Sequence, residues 1–100
     1  MMTPEIEERI IEWANERNLI IGTTELHQTL KLTEEVGELS RAVLHGDHDE
    51  AVDAIGDCYV VLCNLAAKLG TSLDMCAREA YGEIKDRKGN MVHGTYVKEA

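Results

Sequence analysis

Proline occurs once in the 100 residues, phenylalanine not at all, and only four side chains are aromatic. A β-sandwich or barrel draws on aromatic and β-branched pairs, so this poverty argues for helices. Glutamate, leucine and alanine are the commonest residues, as a helical chain would have. Basic charge is also short, and the formal net charge is −9. A general DNA or RNA binder needs a basic face to displace counterions, so nucleic acid is not an expected partner. The three cysteines, Cys58, Cys63 and Cys76, form no CxxC spacing and have apolar neighbours. They read as buried free thiols in a reducing compartment. No run of eighteen apolar residues exists, and no basic stretch leads into an apolar one. Neither a membrane span nor a signal peptide is expected, and a cytoplasmic location follows.

What is present is helical punctuation. Thr3-Pro4-Glu5 reads as the start of a first helix, whose apolar positions Ile6, Ile10, Trp13 and Ala14 fade at Asn18. At that spacing Trp13 is expected in the core. Thr23 or Thr24 caps a second helix running to about Leu44, before a His45-Gly46-Asp47 turn. A third starts near Asp49 and stops at Leu69-Gly70. Thr71 or Ser72 caps a fourth that carries Lys85, Arg87 and Lys88 in its last turn and breaks at Gly89. The expected fold is all-α, a four-helix bundle over 1–90, with 91–100 a C-terminal tail. Met91-Val92 and Tyr96-Val97 read either as extended segments or as a tail that docks in an oligomer.

The acids are clustered. On the second helix Lys31, Glu34, Glu35 and Glu38 fall within a sector of roughly 100°, between two apolar bands. On the third, Glu50, Asp53, Asp57, Asn64 and Lys68 fall within about 60° of one another, and Asp57 opens an apolar stretch. An ionised carboxylate in such a stretch needs a cation or donors. Acids from two helices facing one space make an all-oxygen site that suits Mg²⁺, completed by water and substrate phosphates. At a triphosphate such an ion neutralises charge, activates water and orients displacement. The plainer reading of the second-helix acids is a solvated face partly offset by Lys31.

Glu34-Glu35-Val36-Gly37-Glu38 on one helix, then Asp53-Ala54-Ile55-Gly56-Asp57 on the next, resembles the MazG-like nucleotide pyrophosphohydrolases. The similarity covers roughly residues 5 to 90. It implies a helical bundle that forms a homodimer or homotetramer and uses Mg²⁺, with Mn²⁺ a substitute. It also implies a nucleotide substrate, a (d)NTP cleaved to the monophosphate and pyrophosphate. By match to the motif, Glu35, Glu38 and Asp57 are implied metal ligands, and Glu34 is a ligand or positions the attacking water. The family's second motif reads ExxD, but Ala54 stands where its acid would be. Asp53, one turn before Asp57, is the expected substitute, with Glu50 behind it.

Several further residues are candidates for substrate contacts. Lys31 shares the acidic sector. Lys85 and Lys88, with Arg87, either complement the helix dipole or bind phosphate, and Tyr81 lies one turn before Lys85. Asn64, a lone amide in an apolar stretch, either orients a carboxylate, reads a base or sugar, or bonds across the bundle. His27, His45, His48 and His93 read as surface residues. Val60, Val61, Leu62 and Leu65 lie on different faces of the third helix, which places that helix near a subunit interface. Two alternatives stand beside the leading function. One is phosphoribosyl-ATP pyrophosphohydrolase, and the other is a non-catalytic acidic helical binding module.

Overall fold

The computed structural model describes residues 5–99. Helices α1 (Ile6–Glu16), α2 (Glu25–Leu44), α3 (His48–Lys68) and α4 (Leu73–Ile84) are followed by strands β1 (Gly89–Val92) and β2 (Thr95–Lys98). The architecture is all-α with a two-stranded hairpin appended. Thr3 and Pro4, expected to open the first helix, lie outside the described residues.

Local chemistry sets the boundaries. The Thr24 hydroxyl accepts from His27 N (3.0 Å) while His27 Nδ1 accepts from Thr24 N (3.2 Å), a reciprocal cap with histidine in the usual glutamate place. Asp47 caps α3 by accepting from Glu50 N (3.1 Å), and Ser72 caps α4 by accepting from Met75 N (3.1 Å). Gly70 ends α3 at φ +78°, a backbone state that a Cβ would strain.

Helix α4 stops at Ile84, one turn before Lys88, because the hairpin claims the chain there. The Lys88 carbonyl already accepts from Glu99 N (2.7 Å). Strands β1 and β2 pair antiparallel, Met91 opposite Tyr96 and Val92 opposite Thr95. Both loop residues, His93 (φ +49°) and Gly94 (φ +82°), have positive φ, which matches the right-handed twist of a two-residue hairpin.

Helix α3 is the spine. α1, α2 and α4 each pack on it, α2 most extensively, and the chain turns by 95° from α3 into α4. The buried residues of α2 are Gln28, Glu35 and Ala42, seven apart, and on α3 Ala54 and Val61 repeat that spacing. This is a narrow antiparallel seam in which two of the three α2 positions are polar. Among the described residues no buried apolar side chain exceeds valine: Ala14, Ala42, Ala54, Val61, Cys63 and Ala66. Trp13 is 44% exposed, contrary to its expected core place. Its neighbour Ala14 takes the buried slot, and Trp13 instead lies under the Arg17 guanidinium, 4.5 Å from the ring centre. Of the cysteines only Cys63 is buried. Cys58 is half-buried, and Cys76 is exposed because α4 buries no residue at all. Burial pushes the Cys63 thiol up to about 11, which leaves it inert as a nucleophile.

The chain exposes 7830 Å², roughly 2,000 Å² above the ~5,700 Å² expected of a monomer of this mass. Its radius of gyration, 16.3 Å, likewise exceeds the ~13 Å of a compact 100-residue domain. Leu26, Leu30, Val43 and Leu44 of α2, with Val52 and Ile55 of α3, are more than half exposed. Among the described residues no single helix is long and apolar enough to cross a membrane.

One side chain ties the ends of the helical part together. The Glu7 carboxylate of α1 accepts from the backbone N–H groups of Leu73 and Asp74 (3.0 Å to the latter), where α4 begins and its dipole is positive. Glu7→Ala is expected to lower unfolding stability by about 1–2 kcal/mol, as loss of a helix cap does. Urea titration at fixed protein concentration reads this, and an unchanged midpoint would show that the cap contributes nothing.

Candidate functional site

Glu35 sits on the α2–α3 seam, 7% exposed. One carboxylate oxygen is 3.3 Å from Lys31 Nζ, the i,i+4 partner one turn earlier. The other, Oε2, is buried and has no hydrogen-bond partner among the described residues. Glu38 lies one turn further along α2, and Asp57 comes from α3. One oxygen each of Glu35, Glu38 and Asp57 lie within 4.8 Å of one another. The sequence placed these three acids on facing stripes, and the helical hairpin brings them together.

The electrostatics show the strain of that assembly. The charge of Glu35 lifts the Glu38 carboxyl above its ordinary value. Asp57 is raised first by burial, then by Asp53 and Glu35. Lys31 is raised by its hydrogen bond to Glu35 and by the charge of Glu34, whose Oε1 is 3.6 Å away. A single lysine faces several acids. An orphaned carboxylate oxygen, two neighbours reluctant to ionise and an all-oxygen donor set together fit a hard divalent cation.

Beside the acids opens a cleft of about 360 Å³, lined on α2 by His27, Gln28, Lys31 and Glu35, on α3 by Asp57 and Asn64, and on the α1 side by Trp13. Its far wall is the loop between α1 and α2, and three side chains hold that loop. Lys68 Nζ donates to the carbonyls of Ile20 and Thr23. Gln28 Nε2 donates to Thr23 Oγ1 (3.0 Å) and the Leu19 carbonyl (3.3 Å), and Thr23 Oγ1 donates to the Leu19 carbonyl (2.6 Å). Asn64, only 4% exposed, leaves its Oδ1 buried without a partner among the described residues.

Other sequence candidates fall outside this constellation. Glu34 is exposed on its rim, tied to Lys31. Asp53 and Glu50 are exposed and do not join the three-acid cluster, although the Asp53 charge is felt at Asp57. Ala54 is buried at 2%. Tyr81, Lys85, Arg87 and Lys88 are exposed and do not line the cleft. Sequence reasoning passed over Gln28, which lines it; His27, read as a surface residue, is exposed and also lines the cleft. The seven-residue spacing from Gln28 to Glu35 to Ala42 was the available signal for Gln28. His27 had none, since its ring is occupied by a helix cap.

Residues 23–92 match the MazG nucleotide pyrophosphohydrolase domain, and both acidic segments and Asn64 lie inside the match. The chain belongs to the MazG family. An uncharacterised 18.2 kDa protein from the rep-hol intergenic region of Haemophilus phage HP1 is 46% identical over 57 residues, 57% of this chain. The chain covers 35% of that relative's length. No solved structure gives a significant match.

For a MazG-family chain the acid cluster carries a signature in pH. Glu38 and Asp57 have folded pKa values above their unfolded ones, so folding takes up protons. Their repulsion acts fully above the raised values and is relieved as pH falls through them toward the ordinary carboxylate range. In a chelator, Glu38→Gln should therefore melt higher than the parent at about pH 7, and the gap should narrow toward about pH 5. Mg²⁺ or Mn²⁺ at neutral pH should raise the parent's melting temperature and leave the variant's nearly unmoved. A gap that widens on acidification would show that Glu38 is held ionised by something other than this cluster.

Proposed function

We propose that this chain hydrolyses a nucleoside or deoxynucleoside triphosphate between its α- and β-phosphates, releasing the monophosphate and pyrophosphate. The observation that carries the reading is the cluster of Glu35, Glu38 and Asp57 beside an open cleft, with one buried oxygen of Glu35 unpartnered among the described residues. Those three carboxylates would hold Mg²⁺, or Mn²⁺ in its place. Such an ion neutralises phosphate charge and lowers the pKa of water near the bond to be cleaved.

The chain's own residues do the rest. Lys31 pairs with one oxygen of Glu35 and holds its orientation, and its exposed side offers a positive charge to phosphate. Glu34, on the solvent rim, positions the attacking water and receives its proton. The cleft takes the nucleoside, with Trp13 offering a ring face and Asn64 a buried amide that needs a polar partner. Asp53 is the fourth carboxylate of this proposal, acting from one turn before Asp57. We place the reaction in the cytoplasm, where the three free thiols stay reduced. A homodimer or homotetramer belongs to the same reading. Tyr81, Lys85 and Lys88 stand off their own chain's cleft, so any contact they make with phosphate comes from a neighbouring copy.

Pyrophosphate release measured over the common NTPs and dNTPs with Mg²⁺ tests the activity. Glu38→Gln and Asp57→Asn should each lower turnover by at least ~100-fold, since each removes a charge from a site that works by electrostatic positioning. Helical circular dichroism should be unchanged in both. Binding of a non-hydrolysable dNTP with Mg²⁺, but no pyrophosphate release from any nucleotide, would instead favour the non-catalytic module.

The second motif is tested separately. Asp53→Asn should weaken Mg²⁺ activation, and Ala54→Glu in that background should recover part of it. An Asp53→Asn protein with the parent's metal dependence would remove Asp53 from the site and leave the other three.

A further inference from the structure

We infer that Lys68 is a positioning residue for the nucleoside: from the last turn of α3 its ammonium latches the α1–α2 loop, and with it the Trp13–Leu19 wall of the cleft, beside the acid cluster. The effect on substrate rests on the proposed activity, but the latch itself does not.

Placement is the first reason. Asp57, Asn64 and Lys68 follow one stripe of α3 at intervals of seven and four residues. Asp57 belongs to the acids and Asn64 lines the cleft, while Lys68 stands about 16 Å along the axis from Asp57, at the loop end. Lys68 does not itself line the cleft, so it acts on a ligand only through what it holds.

Bonding is the second reason. A lysine in the last turn of a helix is favoured by the dipole wherever it points, and most such side chains stay in water. Lys68 is half-buried and has no carboxylate partner among the described residues. It donates instead to the carbonyls of Ile20 and Thr23, 48 and 45 residues earlier. Among the described residues no other lysine or arginine bonds a backbone group more than four residues away.

The loop needs such a latch. It is built as a unit: Leu19 N donates to Ala14 O (2.9 Å), Gly22 N donates to Asn18 O (3.1 Å), and Asn18 adopts φ +59°. Gly22 comes so near Asn18 that a Cβ there would lie 2.4 Å from its carbonyl oxygen. Yet no residue between Ala14 and Gln28 is buried, so apolar packing does little to seat this unit on α2 and α3. Polar bonds seat it. Gln28 donates to the Leu19 carbonyl, and Lys68 takes those of Ile20 and Thr23. Loss of the ammonium leaves two carbonyls to find water, which the loop achieves by swinging outward with the end of α1. Trp13 and Leu19 would then leave the cleft while Glu35, Glu38 and Asp57 stay in place.

Hydrogen exchange tests the latch without reference to activity. In Lys68→Met, which keeps the apolar stem, the amides of Leu19 and Gly22 should exchange at least ~10-fold faster, well beyond any change in the middle of α2 and α3. A uniform acceleration along the chain, or none at the loop, would overturn the inference. On the parent chain, limited acetylation by an N-hydroxysuccinimide ester should modify Lys68 at least ~10-fold more slowly than exposed Lys85, Lys88 and Lys98, since it reacts only when the latch opens. Equal rates would overturn it even if the variant does not fold. Binding tests the positioning. With Mg²⁺ present, a non-hydrolysable dNTP should bind Lys68→Met at least ~10-fold more weakly than the parent, and inorganic pyrophosphate within about two-fold of it. In turnover KM should rise by a similar factor while kcat changes less than ~3-fold. Lys68→Arg keeps the charge and the donors and should recover most of the affinity. Equal losses for dNTP and pyrophosphate, or a fall in kcat alone, would overturn the positioning role. A parent chain that protects Lys68 as expected but binds no nucleotide would sink the proposed activity and keep the latch.

Discussion

A carboxylate on a helix seam governs this molecule. Glu35 occupies one of three buried positions of α2, where an apolar residue would pack at no electrostatic cost. Lys31 meets one of its oxygens, and among the described residues nothing meets the other. Because α2 and α3 are antiparallel and closely joined, the seam that buries Glu35 also brings Asp57 from the opposite helix, and the helical repeat brings Glu38. The acids then repel, which raises proton affinity at Glu38 and adds to the effect of burial at Asp57. A cation bound there would relieve all of these tensions at once, and folding would then be coupled to ion binding through a single side chain.

The same seam shapes the cleft. One heptad before Glu35 is Gln28, whose amide reaches the α1–α2 loop, and Lys68 secures the same loop from the end of α3. These groups satisfy backbone carbonyls that would otherwise sit unpaired, so the loop has one preferred path. Trp13 is held on the cleft's rim at the end of α1. A polar seam is costly as packing, but in the proposed reading it would place both ends of a nucleotide, phosphate-proximal and nucleoside-proximal.

Much of this was legible in the sequence because caps and acids are local signals. Thr24, Ser72 and Gly70 mark helix ends by their own chemistry, and 100° arithmetic alone puts Glu35 with Glu38 and Asp57 with Asn64 on shared faces. What failed depended on neighbours. Trp13 has core spacing, yet Ala14 beside it took the buried position. Cys76 has apolar neighbours in sequence, but its helix presses on little within the chain. The hairpin was half legible: Met91-Val92 and Tyr96-Val97 read as extended segments or as a docking tail, because four-residue strands carry almost no periodic signal, although His93-Gly94 between them was a turn signal. No sequence pattern could show that one oxygen of Glu35 finds a lysine while the other finds nothing.

The departure at Ala54 follows from the same seam. Ala42 and Ala54 are both small and both buried, near the turn that joins α2 to α3, and small residues there let the helices come close. An acid at position 54 would put a further carboxylate beside Glu35, Glu38 and Asp57, in a stretch whose charge already exceeds what Lys31 can offset. With alanine there and Asp53 turned to solvent, the nearest extra acid acts on Asp57 through space rather than inside the seam. The protein thereby keeps tight helix packing and a smaller buried charge, at the expense of one inward oxygen. On the proposed function, a cation in such a site would be held by fewer protein oxygens and would leave more of its coordination to water and to phosphate. Its binding would then be more strongly coupled to substrate than in a fully acidic pocket.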